Sequence, residues 1–233
     1  MIKNAAFLPG DLNLLARETE MFRTTVDSLA ADEMSAPALR EGRTRADVLV
    51  AAIRAADTMT GLVAQAVGQA QAPSAAGETR ADLPASELKN QVGAALDRVT
   101  EATRSLTDGV TSEQVTLQGR DVDTYWLPSL WTSQAVLLHH DLDTVWELEE
   151  ADITALEDAM EIVAIRLRHS ADESAPGLRL LTTEGEEHVI GDGAHTVRGD
   201  REALLAWITR GETDGVRADE GELPDSPMLL DLL

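Results

Sequence analysis

The sequence predicts a mainly α protein, an antiparallel four-helix bundle followed by a small α+β C-terminal domain. Three observations carry that expectation. Apolar residues recur at helical spacing through most of the chain before Pro176-Gly177, and after that dipeptide the period shortens to that of strands. A chain of 233 residues with 43% hydrophobic content is large enough to bury a core. The change of period sets the domain boundary, giving residues 1–172 to the bundle and 173–233 to the second domain.

The elements follow in order. Pro9-Gly10 precedes a first helix in which Asp11 is placed to cap and Leu12, Leu15, Phe22, Val26 and Leu29 share a face. Thr44 opens a second, with Val48, Leu49, Ala52, Ile53, Ala56, Met59 and Val63 in register. Gln69–Arg80 is rich in Ala, Gln, Pro, Ser and Gly and reads as a loop. Ser86 is placed to open a third helix through Leu88, Val92, Leu96, Val99 and Leu106, and the polar run Val115–Arg120 reads as a short extended excursion. A fourth helix is expected from Ser129 to Val145 and a fifth after Asp152, with short links that favour antiparallel packing. Beyond the boundary, Leu178–Thr183 and Glu187–Ile190 flank Glu184-Gly185-Glu186 as a hairpin. His195–Gly199 is a further strand, Asp200 caps a helix carrying Leu204, Leu205, Trp207 and Ile208, and Gly191-Asp192-Gly193 reads as a hairpin turn.

Composition excludes several functions. With 19 Lys+Arg against 42 Asp+Glu the net charge is −23, which leaves no cationic surface to displace counterions from nucleic acid or to dock on an anionic membrane. The absence of cysteine removes disulfides, thiolate-bound zinc, iron–sulfur clusters and a cysteine nucleophile. Any thiol chemistry would use a small-molecule thiol. No signal peptide or membrane span is recognisable, so the expected location is the cytoplasm. Only Lys3 and Lys89 are lysines, and alanine is abundant, a bias found in high-GC bacterial genes.

Chemistry-bearing motifs are sparse. Neither Gly-x-Ser-x-Gly nor His-Glu-x-x-His occurs, and no glycine-rich phosphate loop is present. Of the five histidines, only the adjacent pair in Leu137-Leu138-His139-His140-Asp141-Leu142-Asp143 sits beside carboxylates in a helix. Adjacent helical residues point about 100° apart, so at most one of the two imidazoles faces the core. Tyr125, Trp126 and Trp131 are expected to be core residues.

The run Leu39-Arg40-Glu41-Gly42-Arg43-Thr44-Arg45-Ala46-Asp47-Val48 resembles the entry to the second helix of the mycothiol-dependent maleylpyruvate isomerases, an actinobacterial family with a DinB-like metal-binding bundle. Val115–Arg120, Leu130–Asp143 and Thr209–Pro227 resemble further segments of that family in the same order. The resemblance implies mycothiol and a divalent metal such as zinc as cofactors, and a small anionic substrate. It places Arg210 where the family has an arginine for the anion or the thiol, and His140 at a ligand histidine, with Asp143 at its usual spacing. The family's first ligand histidine falls on Ala51 and its tryptophan on Arg43. The carboxylate four residues before the second histidine falls on Val136, with Gln134 the nearest polar side chain. Asp47, one turn before Ala51, is the candidate replacement ligand. The metal triad is therefore expected to be largely lost, leaving either an enzyme with a reorganised site or a non-catalytic ligand-binding or interaction scaffold.

Overall fold

The computed structural model describes residues 3–70, 79–170, 177–229 and 232–233. It contains two compact units, one running to Ala151 and including Leu233, the other Asp152–Leu232. The boundary expected at 172/173 and most of the Gln69–Arg80 loop lie outside the described residues.

In the first unit, α1 (Leu8–Ser28) and α2 (Arg45–Ala66) each pack on both α3 (Ala85–Arg104) and α4 (Leu127–Asp141). Every residue of α4 except His140 is buried. A helix enclosed on all sides needs apolar residues all round, which is why Leu130, Trp131, Val136, Leu137 and Leu138 do not form a single stripe. Phe22, Leu49, Ile53, Met59, Leu88 and Leu96 complete the core, each such side chain worth about 1.5–3 kcal/mol when removed from water.

The helix starts differ from the sequence expectation at two places. α1 begins before Asp11 because Pro9, lacking an N–H, fits the first turn, and Asp11 instead forms a buried ion pair with Lys3 Nζ at 3.0 Å. α3 begins at Ala85 with Pro84 at its cap and no side-chain capping bond, so Ser86 does not cap it. α2 starts where Thr44 places it, with a reciprocal capping box to Asp47. α4 stops at Asp141, short of Val145, and Asp143 takes a left-handed φ of 50° that turns the chain away.

The polar excursion is a hairpin of β1 (Gln114–Leu117) and β2 (Arg120–Asp123). Its two turn residues, Gln118 and Gly119, have φ of 51° and 78°, the left-handed pair that suits a two-residue hairpin.

In the second unit, α5 (Ile153–Ser170) and α6 (Arg201–Arg210) pack on a four-stranded sheet. Its strands are β3 (Leu178–Thr182), β4 (Glu187–Ile190), β5 (His195–Gly199) and β6 (Arg217–Ala218), in the order β4-β3-β5-β6. β3 pairs antiparallel with β4 and parallel with β5. Gly191-Asp192-Gly193 is therefore not a hairpin turn, since it links two strands on opposite sides of β3. Asp200 caps α6 through the Ala203 amide at 2.8 Å, and Gly211 ends it with φ 78°.

Candidate functional site

The C-terminal half of α4 carries the histidine pair, and the two imidazoles part as helical geometry requires. His139 is 2% exposed and enters the core, while His140 is half-buried. On α1, the Thr25 hydroxyl lies 2.6 Å from His139 Nε2, and the Phe22 ring meets the imidazole edge-on at 5.9 Å. On the other side, Trp146, which follows the turn at Asp143, stacks on the imidazole with centroids 3.9 Å apart and planes 9° apart. Burial, and secondarily the neighbouring His140, push the His139 pKa down to about 3, so the ring is neutral at ordinary pH. The Trp146 indole N–H is buried and finds no hydrogen-bond partner among the described residues.

A second group ties the end of α4 to the start of α2. Arg45 donates from Nε to the Leu142 carbonyl at 2.7 Å and from Nη2 to the Asp143 carbonyl, and Nη1 lies 3.3 Å from Glu33. These carbonyls belong to the C-cap residue of α4 and the residue after it, so Arg45 fastens the turn that ends the helix. The Leu39 amide donates to the Asp141 carbonyl at 3.0 Å, and Arg40 Nε lies 3.8 Å from the buried Asp141 carboxylate.

Of the residues singled out as metal ligands, Asp47 is engaged in local structure, whereas His140 is half-buried and Asp143 exposed. Asp47 Oδ2 accepts from the Thr44 amide at 2.9 Å and the Thr44 hydroxyl at 2.8 Å. The amide bond is the main reason its pKa is lowered. Asp143 is exposed, with its carbonyl held by Arg45. Ala51 is half-buried and brings no donor, and Gln134 is buried within α4. Among the described residues, no group of three or more His, Asp or Glu is placed to hold a metal ion. Arg210, half-buried at the end of α6, donates from Nη1 to the Thr209 carbonyl at 2.8 Å, a bond that serves the helix terminus.

Sequence reasoning missed Thr25, Trp146 and Arg45. Thr25 carries no signal, since any hydroxyl on the facing helix would serve. Arg45 was visible as a cation one residue after a capping threonine, but its long-range partners were not. Trp131 is core, as expected, and its indole donates to Thr19 Oγ1 at 2.9 Å. Tyr125 and Trp126 are only half-buried, and Lys3 Nζ sits 5.6 Å from the Trp126 ring.

Neither a family model nor a curated protein matches the sequence. Two solved structures match the fold: the crystal structure of the mycothiol-dependent maleylpyruvate isomerase and that of a histidine-to-alanine mutant of it. Each gives a TM-score of 0.79 at 22% identity, covering 94% of this chain and 96% of the other. The chain therefore has the mainly α, DinB-like architecture with a small α+β part that the sequence predicted.

Proposed function

We propose that this protein uses the maleylpyruvate isomerase fold without its metal chemistry, as a binding protein for a small anionic molecule or low-molecular-weight thiol. One observation carries the reading. The buried imidazole of α4 is already committed, its Nε2 to Thr25 and its face to Trp146. A neutral imidazole ligates a metal through a free ring nitrogen with carboxylates or further imidazoles around it, and His139 faces a hydroxyl and two aromatic rings instead. The Asp47 carboxylate is taken up by Thr44, Asp143 lies exposed with Arg45 on its backbone carbonyl, and Ala51 contributes nothing.

The fold favours a thiol or a small anion because the solved relatives of this architecture are mycothiol-dependent. Arg210 is the residue we assign to meet the ligand's negative charge, and the lack of protein cysteine leaves no competing thiol. Among the described residues no helix is long and apolar enough to cross a membrane.

The experiment combines three measurements on untagged protein. Metal analysis is expected to find well under one divalent ion per chain, and mycothiol-dependent isomerisation of maleylpyruvate is expected to be absent with or without added zinc. Calorimetric titration with mycothiol is expected to detect binding that Arg210→Ala weakens. A tightly held ion, or metal-dependent turnover, overturns the proposal.

A further inference from the structure

His188 is the other buried histidine, and it belongs to the second unit. It lies on the covered face of the sheet, opposite Leu180 of β3, and is 7% exposed. Nδ1 stands 3.5 Å from Glu161 Oε2 of α5, and Nε2 is buried with no hydrogen-bond partner among the described residues.

Charged groups surround it on each packed element. α5 supplies Glu161 and Arg168, the latter donating to the Val189 carbonyl of β4 at 3.0 Å. The turn between β3 and β4 supplies Glu186, and α6 supplies the buried Arg201. Arg201 Nε donates to Glu186 at 3.0 Å, and Nη2 lies 3.5 Å from Glu157 of α5. Helix α5 is thus fastened to the sheet by a polar row in which every side chain but one is a carboxylate or a guanidinium.

The exception is the imidazole. Neutral, it can point Nδ1–H at Glu161 and leave only a lone pair at Nε2. Protonated, it gains a second N–H at Nε2, a buried donor with nothing to receive it. The carboxylates of Glu161 and Glu186 favour the cation, whereas burial, Arg168 and Arg201 oppose it, and burial is the largest influence.

We propose that His188 is an acid-sensitive latch, whose protonation releases α5 from β4 by placing an unmet N–H donor between helix and sheet. The release exposes Nε2 to water, and every group of the latch lies within the second unit.

Hydrogen exchange of the full chain tests the latch, with rates corrected for intrinsic chemistry. The comparison is between about pH 7.5 and about 5.5, and peptides from α5 and β4 are read against peptides from α2. The expected loss of protection in α5 and β4 is several-fold, with a ceiling of about tenfold set by the protonated-to-neutral ratio of an ordinary imidazole one unit below its pKa. His188→Gln removes the loss. Glu161→Gln deepens it, because the cation then lacks its nearest carboxylate. If wild type and His188→Gln lose protection equally, or wild type loses none, the latch is refuted. Should His188→Gln fail to fold, Glu161→Gln still decides, since a loss unchanged or reduced from wild type contradicts the mechanism.

Discussion

Replacing His139 by leucine should remove a specific part of the protein's acid sensitivity. The folded imidazole has a pKa of about 3, against about 6.5 in the unfolded chain. As pH falls below the unfolded value, the unfolded state takes up a proton that the folded state refuses, so stability drops. The contribution is complete above about pH 6.5 and declines until pH nears about 3, where the folded group also titrates. Between about pH 7.5 and 5 the unfolded imidazole gains about 1.5 units of protonation free energy at about 1.4 kcal/mol each, so about 2 kcal/mol is lost. That figure barely changes if the folded pKa is about 4, because the folded group stays neutral at either value. The assay is denaturant unfolding of wild type and His139→Leu at both pH values, followed by tryptophan fluorescence. Trp126, Trp131 and Trp146 report on the unit that holds His139. The variant loses the Thr25 hydrogen bond and starts about 1 kcal/mol less stable, an offset common to both pH values. Every other ionisable group is common to both proteins, so the difference between them isolates His139. If the two lose the same stability to within about 0.5 kcal/mol, His139 is not a buried neutral imidazole and the stacked geometry is wrong.

Further consequences can be measured separately. Thr44→Ala should cost about 1 kcal/mol by undoing the capping box of α2, and Asp47→Ala a similar amount, both read from denaturant midpoints. Because Thr44 holds the Asp47 carboxyl below its ordinary pKa, the Asp47 contribution should be present at neutral pH and fade as pH falls through the carboxylate range. Gly177→Ala should disrupt the second unit, since a Cβ there would lie 1.8 Å from Asp192 Oδ1 and 2.5 Å from the Gly193 amide nitrogen. Backbone at that distance cannot swing aside, and loss of the cooperative transition of β3–β5 would show in exchange or circular dichroism. Trp131→Phe should cost about 1–3 kcal/mol, because the buried Thr19 hydroxyl loses its donor.

The fold was largely legible because its signals are local and repeated. Thr44 announced α2, Asp200 announced α6, and the change of period marked the strands. What failed was conditional on neighbours. Asp11 has the chemistry of a cap, but Pro9 starts the helix earlier and Lys3 claims the carboxylate. Gly191-Gly193 has the composition of a hairpin turn, but which strands pair depends on β5 joining β3 from the far side. The site was less legible still. Ligand spacing singled out His140 and Asp143, which the structure leaves half-buried and exposed, while the buried partner of the pair is His139. Helical phase says that the two histidines part, but not which way α4 is rotated. That rotation is fixed by Trp131 and the apolar residues around it, and with every position but one buried the apolar pattern offers no phase to read.

The two buried imidazoles show how the same burial leads to different chemistry. Around His139 the groups in contact are the Thr25 hydroxyl and the rings of Phe22 and Trp146, none of which carries a charge, and the neighbouring His140 adds to burial in opposing the cation. The ring is therefore held neutral across the physiological range, and its work is to pin α1, α4 and the segment after α4 together. Around His188, Glu161 and Glu186 pull toward the cation while Arg168 and Arg201 push against it. Burial outweighs these opposed charges and holds the imidazole below its ordinary pKa, and a change in packing or in one carboxylate acts directly on that balance. A group meant only to stabilise belongs in the first setting, and a group that responds to its surroundings belongs in the second. In a chain of net charge −23 the second setting can persist only where arginines are buried beside the carboxylates, and Arg201 is such a residue.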